Sequence, residues 1–167
     1  MNADIISAQF QLQADWFFSV LKDISDEESN ERSGDHTNPM KWIAGHLLSC
    51  RMTVIQILTG TNPDASYQAM FGKGTKWAPG AEYPTIEHIT QHWIKVAQEL
   101  VDLLKNVKNE TWQSLAPFQT SIPDGSLAGL LAYFAMHESY HIGQLSVLRK
   151  SQGKSAMYMG RTVSKSE

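Results

Sequence analysis

His137-Glu138-Ser139-Tyr140-His141-Ile142-Gly143-Gln144-Leu145 lies late in the chain, and its reading decides how the other residues are arranged. Two histidines four apart lie about 40° from each other around a helix axis and one turn apart, so both imidazoles can reach one metal ion. Counting along the same stripe adds Leu130, Tyr133, Phe134, Leu145 and Leu148, an apolar seam with two histidines set into it. A helix that turns this face toward a core buries two imidazoles, and buried polar groups need partners. A shared cation is one such partner. Hydrogen bonds to ordinary core side chains are the other, and this helix alone leaves both readings open.

Three earlier segments share the helical period. Residues 4 to about 23 carry Ile5, Ile6, Phe10, Phe17, Val20 and Leu21 at helical spacing, with Asp4 or Ser7 available for the start. Asn38-Pro39 reads as the next start, a capping side chain followed by proline where no N–H is needed. That helix runs to about Thr59 and stops at Gly60. Its inward arc holds Trp42, Ile43, His46, Cys50, Val54 and Ile57. Pro84-Thr85 opens a third helix through about Val107, striped by Ile86, Ile89, Trp93, Ala97, Leu100 and Leu104. Asp124-Gly125-Ser126 caps the fourth, which runs to about Ser151 and ends near Gly153. The connections are a polar stretch at 25–37, an irregular aromatic-rich stretch at 60–84, and 108–125 with one short turn around Glu110–Trp112. From Lys154 a polar tail follows, with Met157-Tyr158-Met159 as a packing anchor. Nothing alternates as a strand does. Four helices of roughly 20 residues, each with one apolar stripe, predict an all-α four-helix bundle.

The whole-chain properties bound the function without naming it. At 167 residues, 1–167 is expected to be one domain with a real core. A formal charge of −3 and the lack of a dense Lys/Arg run argue against a nucleic-acid partner. No basic region followed by an apolar run opens the chain, so no signal peptide is expected, and nothing approaches a membrane span. Cys50 is the single cysteine, which excludes an internal disulfide and fits a reducing, cytoplasmic setting.

His137-Glu138-x-x-His141 formally matches the zinc-protease pattern, in which the glutamate is the general base. That pattern needs a third ligand downstream, yet no histidine follows His141 and the only later carboxylate is Glu167. Its extended form places Gly and His where this chain has Gln144 and Val147. The remaining source of a ligand is a neighbouring helix, and His46 is the only other histidine on an inward arc. His88 and His92 are also four apart, but they share a face with Lys95 and Glu99 and read as surface residues; His36 reads as a solvated loop residue. Three neutral imidazoles from two helices leave at least one coordination position open, as catalytic sites do. Cys50, one turn beyond His46, either lines the same cavity or is a small buried hydrophobe.

Asn38-Pro39-Met40-Lys41-Trp42-Ile43-Ala44-Gly45-His46-Leu47 and the His137–Leu145 stretch, followed by Leu148-Arg149 and Gly153, together resemble the DinB-like (YfiT-like) four-helix-bundle family. The first matches its W-x-x-x-H-L helix and the second its H-x-x-x-H-x-G-Q-L helix. The resemblance implies a mirror-type variant of the up-and-down bundle. It further implies a divalent metal ion (Ni, Zn or Fe) held by His46, His137 and His141, and often a homodimer. Family members of known activity include thiol-dependent S-transferases, isomerases and hydrolases, so a low-molecular-weight thiol is an expected cosubstrate. The position of Glu138 is variable in the family.

Around the fourth helix, with His137 at zero, Tyr133 lies near −40°, Tyr140 near −60°, Gln144 near −20° and Glu138 near +100°, at about 100° per residue. Tyr133 and Gln144 therefore flank the histidines, where hydrogen-bonding groups orient imidazoles. Glu138 is expected either as a proton acceptor beside the site or as a solvated surface residue. The leading expectation is a metal-dependent hydrolase or S-transferase acting on a small molecule. A non-catalytic metal-binding bundle acting by association is the alternative, motivated by the aromatic-rich 60–84 stretch.

Overall fold

The computed structural model describes residues 3–62 and 64–160. Its long helices are α1 (Ala3–Leu21), α3 (Met40–Thr59), α5 (Ile86–Asn106) and α7 (Leu127–Ser151). Short helices α2 (Asp26–Asn30), α4 (Ala65–Phe71) and α6 (Asn109–Trp112) sit in the connections. Among the described residues the fold is all-α, with no strand and no helix long and apolar enough to cross a membrane. Each long helix packs on two others: α1 against α5 and α7, and α3 against the same two.

Local chemistry sets most boundaries. Gly60 adopts φ 73°, which ends α3 without the steric penalty a β-carbon would bring. Thr85 and Ser126 each accept a backbone N–H at the starts of α5 and α7. The α3 start differs from expectation by one residue. Pro39, not Asn38, is the cap, with no side-chain bond, so its fixed φ is what the position uses. Two connections expected to be irregular contain helices. Ser25 and Glu28 form a reciprocal capping box that starts α2, and Asp64 accepts from the N–H groups of Ser66 and Tyr67 to start α4.

One cluster of buried apolar side chains is shared by the four long helices. Within it, Arg51 of α3 is fully buried and touches all three of the other long helices. Its Nε and Nη2 donate to both carboxylate oxygens of Glu138 on α7, at 2.9 and 2.6 Å. Nη2 also donates to the Phe10 carbonyl of α1 at 2.7 Å, and the guanidinium lies 4.1 Å from the Trp93 ring of α5. Trp93 in turn stacks on Phe17 at 3.9 Å. Gln13 of α1 adds a second polar tie, donating to the Ala135 carbonyl and the Ser139 hydroxyl of α7.

The expected C-terminal anchor is present as far as residue 160. Trp16 donates to the Met159 carbonyl at 2.8 Å, the Tyr158 N–H donates to Ser19, and Met157 packs on the core. Arg149 donates to the carbonyls of Val20, Lys22 and Ser155, holding the tail against the end of α1. The rest of the tail, 161–167, lies outside the described residues.

Candidate metal centre

Each imidazole is positioned by a different device. His46 stands nearly two turns into α3, buried, with its ring stacked on Trp42 at 5.1 Å and 8°. Its Nδ1–H donates to the carbonyl of Phe71, the last residue of α4, at 2.7 Å. Because a carbonyl can only accept, that bond fixes the tautomer and leaves Nε2 unprotonated, an acceptor that the Cys50 thiol approaches at 3.7 Å. On α7, His141 Nδ1 donates to Gln144 Oε1 at 2.7 Å, and Gln144 Nε2 donates to the Tyr140 hydroxyl at 3.0 Å. This again leaves Nε2 unprotonated. His137 is held differently: Tyr133 lies along its ring at 6.0 Å, and its buried Nδ1 has no partner among the described residues.

The three rings converge. One ligating nitrogen from each lies within 4.8 Å of the others, and no other such group of His, Cys, Asp or Glu occurs among the described residues. His137 Nε2 and His141 Nε2 are 3.1 Å apart. Two nitrogens bound to one ion at about 2.1 Å, with angles between octahedral and tetrahedral, are separated by about 3.0–3.4 Å, so this pair already has the spacing of co-ligands. Electrostatics favours the same state. Burial lowers the pKa of His46 against the opposing Phe71 bond, and burial followed by the His46 charge lowers that of His137. His141 falls to about 4, chiefly through burial and then through His137. All three are neutral near pH 7, the form that ligates metal.

The neighbouring residues are where the seam reading puts them, with one departure. Tyr133 and Gln144 flank the ligands, and Tyr140 is largely exposed beside His141 at 5.1 Å. Cys50 is half-buried, its Sγ 3.7 Å from His46 Nε2, and burial pushes its thiol up to about 12, so it is protonated at neutral pH. Glu138 is not a solvated surface residue: it is buried, with both carboxylate oxygens taken by Arg51. The surface pair also departs from expectation. His88 is exposed, but His92 is half-buried with Tyr67 edge-on at 5.2 Å.

Two contributors were not read from the sequence. The Phe71 carbonyl arises from α4, whose start was signalled only by Asp64 two residues before Ser66. Arg51 stands in the middle of α3, a charge among mostly apolar neighbours, and that position was its only signal.

No curated protein matches the chain. Residues 9–145 match the family model described as the DinB superfamily, a span that contains His46, His137 and His141, most of the four long helices and the Arg51–Glu138 tie. The chain belongs to the DinB superfamily.

Proposed function

We propose that the chain is a metal-dependent enzyme acting on a small molecule, as a hydrolase or a thiol S-transferase, with His46, His137 and His141 as the protein ligands. One observation carries this reading: three imidazoles bring one ring nitrogen each within 4.8 Å of the others, two of them with tautomers set by bonds on the far nitrogen. A divalent ion bound there would supply a Lewis-acidic position that lowers the pKa of a coordinated water or thiol. Everything else is the work of this chain. Phe71 and Gln144 hold two rings in register; Trp42, Tyr133 and Tyr140 wall them and keep the surroundings weakly polar. His137 and His141 are only half-buried, so a small molecule can reach them from one side. The donor set carries no negative charge, which keeps the full charge of the ion available to an incoming nucleophile. A low-molecular-weight thiol is the proposed cosubstrate, and Ni, Zn or Fe the proposed metal, in a cytoplasmic setting.

Purified without a histidine tag, the protein should contain about one equivalent of divalent metal, and His141→Ala should contain none. Unchanged metal content in the variant overturns the reading. Turnover of an electrophile with a small thiol, lost on chelation, would then assign the transferase branch.

A second reading has its own observation. Met136, Tyr140, Gly143 and Val147 form an exposed, uncharged stripe along α7, next to the ligand-bearing face. A second copy seated there would make the protein a homodimer acting by association, and light scattering of Tyr140→Glu beside the native protein tests it.

A further inference from the structure

Resting on the reading of the three histidines as a metal centre, we propose that a separate cavity further along the same seam binds the uncharged, apolar chain of a substrate whose reactive head sits at the histidines. α3 and α7 run antiparallel: His46 faces His137 and His141, Arg51 meets Glu138, and the residues near Gly60 come alongside Leu127. From His46, Thr53 and Ile57 lie within about 20° of the same stripe, roughly 10 and 16 Å further along at 1.5 Å per residue. Both line a solvent-open cavity of about 530 Å³, to which Leu58, Leu115, Phe118 and Leu127 add apolar surface and Gln56, Thr111 and Ser114 uncharged polar groups. That volume falls in the range of small-molecule pockets.

Three features argue for an apolar occupant. No ionisable side chain lines the cavity among the described residues. Thr53, the lining residue nearest the histidines, has its hydroxyl already satisfied, donating to the Ser49 carbonyl and accepting from Gln68, so it requires nothing polar of a ligand. Leu115 and Phe118 stand 89% and 45% exposed at the rim, large apolar side chains that a bound chain would cover.

A row of aromatic rings links the cavity rim to the centre. Phe118 meets Phe134 at 6.4 Å, Phe134 meets Tyr133 at 6.1 Å, and Tyr133 lies along the ring of His137 at 6.0 Å. On the opposing helix, Cys50 stands midway along the two turns that separate His46 from Thr53. The head group binds at the histidines, and the chain runs down a seam that offers it no charge.

Alkyl hydroxamates test this, because the head ligates metal and the chain can be varied. The protein loaded with Co(II) would be titrated with acetohydroxamate, hexanohydroxamate, octanohydroxamate and decanohydroxamate, following the visible bands of the ion. Affinity should rise along the series by up to about fourfold per methylene buried, and Phe118→Asp or Leu115→Asp should flatten that rise. A native series as flat as the variants overturns the cavity assignment while leaving the metal centre intact. Bands that do not respond even to acetohydroxamate count against the metal-centre reading instead. In that event the cavity is judged without metal: 1-anilinonaphthalene-8-sulfonate fluorescence on His141→Ala should fall on adding decanol, and not in His141→Ala/Phe118→Asp. No displacement overturns the proposal.

Discussion

At Nδ1 of His141 a single amide decides which nitrogen carries the proton. Gln144→Leu keeps the size of the side chain and removes that acceptor, leaving a half-buried N–H without its partner and the tautomer unfixed. Metal affinity should fall about 10- to 100-fold, the range seen when a group that orients a ligand is lost. Competition against a chelating dye measures this, with circular dichroism unchanged. A second residue-scale consequence follows from the depressed pKa of His141, about 4 folded against 6.5 for the unperturbed ring. Between those values the unfolded chain binds more protons than the folded one, so stability rises with pH. His46 and His137 are lowered as well and act in the same direction. Metal-free protein should therefore hold its full urea midpoint above pH 6.5 and lose stability progressively toward pH 4, with a shallower loss in His141→Gln. At this scale the site was largely legible: a histidine on an apolar stripe needs a partner, and three such residues on two helices can share one. What could not be read was the Phe71 carbonyl, since a backbone acceptor leaves no trace in residue type.

The tie between α3 and α7 is the element-scale counterpart. Arg51 and Glu138 are buried at 0% and 3% exposure and bonded through two atoms each. Leaving one of two buried charges unpaired is strongly destabilising, whereas replacing both with apolar groups of similar volume is often neutral. Glu138→Leu should thus cost about 3–5 kcal/mol of unfolding free energy, and Arg51→Met/Glu138→Leu far less, as urea titration will show. Because the pair is adjacent in sequence to Cys50 and His137, it also sets the register that puts His46 opposite its co-ligands. Neither charge lay on the apolar stripe read for its helix, so, read one helix at a time, Glu138 could only be a flanking carboxylate. The long helices were legible because each spends a full stripe on the core, from Ile86 to Leu104 in α5 for instance. α2 and α4 were not, although Ser25-x-x-Glu28 spells a capping box, because helices of 5 and 7 residues have too few turns to show a period. α4 matters beyond its size. A β-carbon at Gly45 would overlap the Phe71 ring, so Gly45→Ala should push α4 away and weaken the Phe71–His46 bond.

Across the whole molecule, the question is whether the bundle needs its metal to fold. Small zinc domains do, because they lack a core. Here the buried cluster includes Phe10, Phe17, Leu47, Leu48, Trp93, Leu100 and Leu130, with further ties from Gln13 and Arg149 that do not involve the histidines. The fold should therefore persist without metal, and the ion should act as a ligand of the native state alone. At a free concentration 1,000 times Kd such a ligand adds about 4 kcal/mol. For a chain of this size that corresponds to a rise in Tm of about 8–16 °C, at roughly 2–4 °C per kcal/mol. Calorimetry with metal and with chelator should show two cooperative transitions separated by about this interval. In His46→Ala the two scans should coincide, because the third imidazole from α3 is what lets one ion clamp α3 to α7. A chelated protein with no cooperative transition would place it with the metal-dependent folders, and an unchanged separation in His46→Ala would detach α3 from the centre.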